Sequence, residues 1–153
     1  MSNKTTAVTA WEALFRAQVS VMRYLNAQFP TGELSLTEYD VLFNLSRQPG
    51  RQLRMKELNR HLLLTQPSVS RLVDRLVARG LLEKFHDQDD ARGVNVALTS
   101  AGFDLFRTVA RSHIGSIAER VGGSLSIAEL ETLTKLCDRL RLADRHRMDS
   151  SPG

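Results

Sequence analysis

The chain of 153 residues is 42% hydrophobic and 25% charged, which is the composition of an ordinary globular protein. This length is enough for one domain with a core and too short for two ordinary domains. No apolar run approaches the ~20 residues of a membrane-spanning helix, and the first residues lack the apolar segment of a signal peptide, so no membrane partner is expected. The single cysteine, Cys137, excludes an internal disulfide and favours a reducing compartment, which predicts a cytoplasmic location.

The formal net charge is +4, with a pI near 9.7, and the charge is unevenly distributed. Residues 1–50 carry four basic and four acidic side chains, whereas residues 51–84 carry eight basic and three acidic ones, a net +5. Such a concentrated basic excess predicts a polyanion partner for the middle third of the chain. A basic surface that only faces solvent is the alternative that charge alone leaves open.

Long helices are predicted near both ends of the chain. Apolar residues at helical spacing run over 9–29, where Thr9 and Glu12 have capping-box spacing, over 100–121, and from 127 to about 143. These helices are amphipathic and have few partners nearby in the sequence. Their apolar faces must be covered, and a second copy of the chain is the simplest cover, so a homodimer is expected.

The middle of the chain carries shorter elements. Their hydrophobic periods predict helices over 36–47, 55–62 and 66–79, and strands over 81–86 and 94–98. Residues 51–54 are too few to assign, although they could supply a strand of one or two ladder bonds. A short helix, a tight turn, a second helix and a two-stranded hairpin make a winged helix-turn-helix.

Capping residues mark the boundaries of these elements. The predicted caps are Ser35 with Glu38 or Thr37 with Asp40, then Thr65, Gly80, Thr99, and Ser126 with Glu129. The predicted fold class is therefore mainly α (α+β), a winged helix-turn-helix with a small β-wing and N- and C-terminal dimerisation helices. We expect a single domain over 1–153, in which 35–99 form the DNA-binding lobe and 9–34 and 100–145 form the dimerisation helices.

The helix predicted over 66–79 has an apolar stripe on one face and two arginines, Arg71 and Arg75, one turn apart on the other. A guanidinium group can donate two parallel hydrogen bonds to guanine O6 and N7. Small and polar residues in the first turn let a helix enter the major groove, and free backbone N–H groups there can hold a phosphate. The candidate DNA-binding residues of this helix are Gln66, Pro67, Ser68, Ser70, Arg71 and Arg75. The alternative is a surface helix whose arginines only face solvent.

The hairpin tip supplies a second candidate DNA contact. Arg92 lies beside Gly93, and an exposed arginine on a flexible turn suits the negative potential of a narrow minor groove. Asp90 is expected to organise the wing by pairing with a guanidinium group, either Arg75 or Arg92. For Asp87 and Asp89, intramolecular pairing and ordinary turn chemistry are equally good interpretations.

These residues resemble the MarR family (multiple antibiotic resistance regulators) over about 9–143. The matching features are the run Leu76 to Leu82, Asp90-x-Arg92, and Val94-x-Val96-x-Leu98-Thr99-x-x-Gly102. The resemblance implies an obligate dimer with interlocking terminal helices on a near-palindromic DNA site, with recognition helices in major grooves ~10 bp apart. It assigns major-groove or phosphate contacts to Gln66, Ser68, Ser70, Arg71 and Arg75, and the minor-groove contact to Arg92.

The resemblance also implies a sensor, since the usual mechanism is relief of repression when a small, often aromatic or acidic molecule binds between the dimer helices and the DNA-binding lobe. The candidate effector pocket is lined by Trp11, Phe15, Met22 and Tyr39, for which core packing is an equally good explanation. Some relatives sense oxidants through cysteine, or bind zinc. Cys137 lies on the apolar stripe of the last helix and favours a buried structural thiol. The four histidines are too scattered to predict a metal site.

An enzyme is not expected. The sequence carries no nucleophile–base pair, metal cluster or phosphate-binding loop, so neither a cofactor nor a metal is predicted. The leading hypothesis is a sequence-specific transcriptional regulator, a dimeric repressor released from double-stranded DNA by a small-molecule effector. The alternatives are a winged-helix protein-interaction module and a thiol-based redox sensor acting through Cys137.

Overall fold

The computed structural model describes residues 2–62, 66–89 and 92–148. The helices are α1 (Asn3–Gln28), α2 (Leu36–Ser46), α3 (Met55–His61), α4 (Gln66–Ala78), α5 (Ser100–Ile117) and α6 (Ile127–Met148), and the strands are β1 (Gln52–Arg54), β2 (Leu82–His86) and β3 (Val94–Leu98). The predicted fold class, mainly helical with a small antiparallel sheet, is confirmed. No helix among the described residues is both long and apolar enough to cross a membrane.

Helix α1 begins six residues before its predicted start, so the predicted cap at Thr9 is wrong. Ser2 caps the helix instead: its Oγ accepts the Thr5 N–H at 3.3 Å and its carbonyl accepts the Thr6 N–H at 3.1 Å. Thr9 lies inside the helix, where its hydroxyl donates to the Thr5 carbonyl at 3.0 Å. The apolar stripe starts later than the helix because the first turns are polar and exposed on all sides.

Ser35 and Glu38 close the start of α2 with the capping box that the sequence predicts. The Glu38 N–H donates to Ser35 Oγ at 3.1 Å, and the Ser35 N–H donates to Glu38 Oε1 at 2.9 Å. The alternative pair is excluded, since Asp40 Oδ1 instead accepts from the Asn44 side chain at 3.3 Å. Two orphan helix donors are thus satisfied reciprocally.

Gly80 ends α4 in the left-handed conformation, with φ of 75°. Its N–H donates to the Val77 carbonyl at 2.9 Å, and the Leu81 N–H donates to the Leu76 carbonyl at 3.0 Å, which together form a Schellman motif. The predicted C′ position of Gly80 is confirmed, and the turn leads the chain directly into β2. The predicted N-cap, Thr65, lies outside the described residues.

The three strands form one antiparallel sheet in the order β1-β3-β2. Residues 52–54, left unassigned from the sequence, pair fully with β3, so that Leu53 lies opposite Val96 and Arg54 opposite Asn95. On its other side β3 pairs with all five residues of β2. Because β3 is central, the Val96 side chain is completely buried, whereas β1 and β2 are edge strands.

Two compact units make up the chain: a central unit, Leu25–Ile114, and a terminal unit, Met1–Tyr24 with Gly115–Gly153. The sequence places the corresponding boundaries at 34 and 99–100. The difference arises because the last turn of α1, with the buried Leu25, and most of α5, with the buried Val109 and Ala110, belong to the central unit. The side chains least exposed in this core are Leu34, Val41, Leu42, Leu45, Leu58, Val69, Val73, Leu76, Leu82 and Val96.

Thr99 and Gly102 join the start of α5 to the end of α4. The Thr99 hydroxyl oxygen accepts the Gly102 N–H at 3.0 Å and donates to the Gly80 carbonyl at 2.7 Å. A Cβ atom on Gly102 would lie 2.1 Å from the Leu81 carbonyl oxygen, so only glycine fits this position. The predicted capping role of Thr99 is confirmed.

The terminal unit contains most of α1 and all of α6, which runs to Met148 rather than to about 143. Ser126 Oγ accepts the Glu129 N–H at 3.2 Å, and the carboxylate meets the Ser126 hydroxyl rather than its backbone, so the predicted capping box is only half formed. The apolar side chains expected to point inward along α6 are exposed in the single chain. They include Ile127, Leu133, Leu136 and Leu140.

Candidate nucleic-acid interface

Helix α4 has one buried face and one exposed face. Val69, Val73 and Leu76 are fully buried and Leu72 nearly so, and these side chains attach the helix to the core of the central unit. A complete apolar stripe of this kind fixes the rotation of a helix about its axis. The opposite face is therefore presented to solvent by packing rather than by chance.

The exposed face of α4 carries most of the residues predicted to contact DNA. They are Pro67, Ser68, Arg71 and Arg75, all exposed, together with Ser70, which is half-buried. Gln66 is the first residue of the helix, and its side chain lies outside the described part of the chain. Within the described residues, neither Arg71 nor Arg75 has a carboxylate within ion-pair distance. Their side chains are thus available to an anionic partner.

Asp74 lies between the two arginines on the same helix. It pairs with Lys84 of β2, with Nζ 2.9 Å from Oδ1. The lysine neutralises the only acidic side chain of α4 and connects the helix to the hairpin. This pairing preserves the positive potential of the face.

Arg79 connects the end of α4 to the start of α2. Its guanidinium donates to Glu38 Oε2 at 3.2 Å and to the Glu33 carbonyl at 2.7 Å. Glu38 also closes the α2 capping box, so one carboxylate links the ends of two helices. The contact joins residues 41 positions apart in the sequence. It fixes the C-terminal end of α4, while the buried stripe fixes the rest of the helix.

The hairpin between β2 and β3 is closed at its base by a backbone hydrogen bond, from the Asp87 N–H to the Gly93 carbonyl at 2.9 Å. Asp87 Oδ1 accepts the Asp89 N–H at 3.0 Å, and Asp87 Oδ2 pairs with the Arg54 guanidinium of β1. Both interpretations of Asp87 from the sequence are therefore realised, turn chemistry and intramolecular pairing. The Asp89 N–H and, next, the Arg54 guanidinium hold the pKa of the Asp87 carboxyl below its usual range.

Arg92 is exposed beside Gly93, at the position predicted for a minor-groove contact. Asp90, the predicted organiser of the wing, lies outside the described residues. The organising ion pair that the structure describes is the one between Arg54 and Asp87, which sequence reasoning did not find. Its signal was weak, because β1 is only three residues long and the two partners are 33 positions apart.

The residues predicted to line an effector pocket lie in different units. Trp11 and Phe15, in the terminal unit, are 61% and 51% exposed, and their rings are 5.7 Å apart. Met22 belongs to the same unit. Tyr39 is buried in the central unit, where its ring stacks on Phe106 at 5.3 Å, so core packing accounts for this tyrosine.

His113 is the only buried polar side chain among the described residues. Its ring meets the edges or faces of Phe29 and Tyr39 at centroid distances of 5.2 and 4.9 Å, and its Nδ1 has no hydrogen-bond partner in the described part of the chain. Burial lowers the pKa of this imidazole because the charged form loses its hydration. Cys137, the candidate redox residue, is half-buried. Across residues 2–62, 66–89 and 92–148, no three His, Cys, Asp or Glu side chains converge to hold a metal ion.

A family model described as the MarR family matches residues 33–93, which contain α2, the helix-turn-helix and the first strand of the hairpin. PecS of Dickeya dadantii (strain 3937), an HTH-type transcriptional regulator, is 28% identical over 102 residues, which cover 66% of this chain and 61% of PecS. The match thus spans less than two thirds of that relative.

Two solved structures extend the comparison to most of the chain. Sco3205 of Streptomyces coelicolor, a MarR family transcriptional regulator in complex with DNA, has a TM-score of 0.77 at 23% identity, covering 94% of this chain and 89% of its own. BpsR of Bordetella bronchiseptica, whose DNA binding is regulated by 6-hydroxynicotinic acid, has a TM-score of 0.74 at 25% identity, covering 87% and 98%.

Helix α3, helix α4 and the β2–β3 hairpin define this chain as a winged helix-turn-helix protein. The predicted MarR-family resemblance is confirmed, since residues 33–93 match the family model and the fold is that of solved MarR family regulators. PecS and Sco3205 are described as transcriptional regulators, and BpsR as a protein whose DNA binding is regulated.

Proposed function

We propose that this protein is a sequence-specific DNA-binding transcriptional regulator that acts as a homodimer on double-stranded DNA. The observation that carries the proposal is the arrangement of α4, whose Val/Leu face packs into the core while Arg71 and Arg75 lie exposed on the opposite face. A helix anchored in this way can enter a major groove, with guanidinium groups placed for guanine edges or phosphates.

The hairpin adds a second contact in this proposal. Arg92 projects from the wing tip and enters the minor groove beside the half-site, where a narrow groove attracts guanidinium groups. Gln66, Pro67, Ser68 and Ser70, in the first turn of α4, contact base edges or phosphates. The complex of Sco3205 with DNA supports this choice of partner, since that protein shares the fold.

Dimerisation follows from the apolar surface of the terminal unit. At the start of α6, a mainly apolar groove of about 380 Å³ is lined by Leu125, Ala128, Leu133 and Leu136, together with Glu129 and Thr132. Ile127 and Leu140 are 78% and 65% exposed. Exposed apolar side chains grouped along one helix are typical of an interaction surface. We propose that a second copy covers it, which presents two α4 helices to successive major grooves ~10 bp apart in a near-palindromic site.

The regulator is proposed to be a repressor that a small aromatic or acidic molecule releases from its operator. BpsR supports this step, since 6-hydroxynicotinic acid, an aromatic acid, regulates the DNA binding of that protein. The assignment of Trp11, Phe15, Met22 and Tyr39 to the effector site stays a prediction.

The test selects duplexes from a random library with the purified protein and then measures the affinity for the selected site by fluorescence anisotropy. A near-palindromic consensus is expected, with binding that weakens steeply as salt rises. Arg71→Ala, Arg75→Ala and Arg92→Ala should each weaken specific binding by about 5- to 100-fold. Arg141→Ala, once light scattering shows that it stays dimeric, is the matched control, because this exposed arginine lies on α6 and pairs with Asp138.

Selection that yields no consensus, with affinity indifferent to sequence, would reject the proposal in favour of a winged-helix protein-interaction module. Loss of binding in the Arg141→Ala control alongside the three interface variants would indicate a general charge effect instead of a defined interface.

A further inference from the structure

The three strands of the sheet are connected at the base of the wing by a single carboxylate. Asp87, the first residue after β2, pairs with Arg54 of β1, and the Asn95 side chain of β3 lies close enough to contribute to the lowered pKa of its carboxyl. Arg54 lies directly opposite Asn95 in the ladder, and Phe85 of β2 lies opposite Asn95 on the other side. Arg54 therefore reaches from one edge strand, across the end of the central strand, to the residue that follows the other edge strand.

The same carboxylate controls the course of the loop that follows. Its Oδ1 accepts the Asp89 N–H at 3.0 Å, while the Asp87 backbone N–H donates to the Gly93 carbonyl at 2.9 Å. Asp87 thus holds both the outgoing and the returning arm of the hairpin. Its side chain is 17% exposed and that of Arg54 is 48% exposed, so the pair lies at the surface but is shielded on the carboxylate side.

We propose that Arg54 is a positioning residue for DNA binding, which fixes the base of the wing through Asp87 and thereby places Arg92 for its groove contact. The inference rests on the proposed function, because it assigns Arg54 a role in the contact that Arg92 makes. A guanidinium group that must enter a narrow groove depends on the direction of its loop, since an unfixed loop pays ordering entropy on binding.

Removal of the negative charge of Asp87 tests this inference, because electrostatic repulsion and loop positioning predict opposite effects on DNA affinity. Removing a carboxylate near a DNA-facing surface reduces repulsion of the phosphates, so ordinary electrostatics predicts tighter DNA binding for Asp87→Ala. The contacts of Asp87 with Arg54 and with the Asp89 N–H, here called the clamp, predict weaker DNA binding for this variant. Asp89→Ala is the matched control, since it removes the same charge two residues away while only the backbone N–H of Asp89 takes part in the clamp.

The first measurement is hydrogen exchange of the free protein, followed by mass spectrometry of the peptide that covers the hairpin. Arg54→Met and Asp87→Ala should each raise the exchange rate there by about tenfold, because the protected amides of Asp87 and Asp89 lose their anchor. Asp89→Ala should exchange like the wild type. Unchanged exchange in the first two variants overturns the clamp whether or not the protein binds DNA.

The second measurement is affinity for the selected duplex. Arg54→Met and Asp87→Ala should bind roughly three- to tenfold more weakly, Arg54→Lys should recover part of the loss, and Asp89→Ala should bind at least as tightly as the wild type. In the Arg92→Ala background, Asp87→Ala should cause no further loss. Independent, multiplying losses would overturn the positioning role and indicate that Arg54 contacts phosphate itself.

The two proposals fail in different ways. A wild-type protein that selects no DNA sequence rejects the proposed function, and with it the role of Arg54 in DNA binding, even if exchange shows an intact clamp. Specific binding that needs Arg92 but is unaffected by Arg54→Met and Asp87→Ala rejects the positioning role alone.

Discussion

His113 makes the pH dependence of folding a direct test of the central core. Its side chain is 7% exposed between Phe29 and Tyr39, with Nδ1 unpaired in the described residues. We expect His113→Phe to be as stable as the wild type or more stable at pH 7.5, because a buried acceptor without a partner costs about 1–3 kcal/mol. The larger ring offsets part of that gain, since overpacking costs about 1 kcal/mol or more.

The sign of the pH effect follows from the lowered pKa of His113. Below about pH 6.5, the ordinary pKa of histidine, the unfolded chain takes up a proton that the folded chain resists. The wild type therefore has its full stability above pH 6.5 and loses stability as the pH falls towards the folded pKa. A single group changes the unfolding free energy by at most about 1.4 kcal/mol per pH unit in this window, and His113→Phe should lack that contribution.

The assay is urea unfolding followed by far-UV circular dichroism at pH 7.5 and 5.5, at one protein concentration because the proposed dimerisation would add to the apparent stability. His61→Asn is the control for the loss of an imidazole from an exposed site, since His61 lies at the surface at the end of α3. Equal losses of stability between the two pH values in wild type and His113→Phe would refute the reasoning. A loss of more than about 2 kcal/mol in His113→Phe at pH 7.5 would show that the imidazole makes a stabilising contact.

Two further outcomes follow from the packing. Gly102→Ala should lower the unfolding free energy by about 3 kcal/mol or more, because its Cβ would lie 2.1 Å from the Leu81 carbonyl oxygen. Gly115→Ala on the same helix, where an added Cβ would meet nothing within 4 Å, should be neutral or stabilising by up to ~1 kcal/mol. Similar melting temperatures for the two variants would contradict this prediction. Leu136→Glu should shift the dimer towards monomer by at least about tenfold in dissociation constant, measured by light scattering after size exclusion. Phe85→Glu, at an apolar site on β2 that is 41% exposed against 50% for Leu136, should stay dimeric. A dimeric Leu136→Glu would exclude the α6 groove from the interface.

Elements whose signals are local were predicted well. The strand over 94–98 and the Gly80 terminus of α4 follow from alternation and from the left-handed turn that glycine favours, both of which involve only neighbouring residues. The start of α1 was misplaced because the apolar stripe marks the face that packs and not the first hydrogen-bonded turn. Strand β1 was left open because three residues carry no measurable period, and its existence depends on the partner β3.

The candidate interface also contains residues that local sequence predicts and contacts that it does not. Arg71 and Arg75 share a face because residues four apart lie one turn apart on any helix, so the residue order alone predicts them. The Arg54–Asp87 pair, the bridge from Arg79 to Glu38, and the burial of His113 involve residues far apart in sequence. No period or cap encodes such contacts.

Periodicity, capping and the concentrated basic charge were sufficient to predict a winged helix-turn-helix and the exposed face of α4, because each depends on residues within one or two turns of one another. Packing of distant segments was needed for the contacts that orient this face and the wing beside it: the hydrogen bond from Arg79 to Glu38, and the contacts of Asp87 with Arg54 and Asp89. The core packing of Tyr39, which the sequence left open beside a pocket role, also involves distant segments. Side chains brought together by folding become neighbours only when the core excludes water, and that free energy belongs to the whole chain.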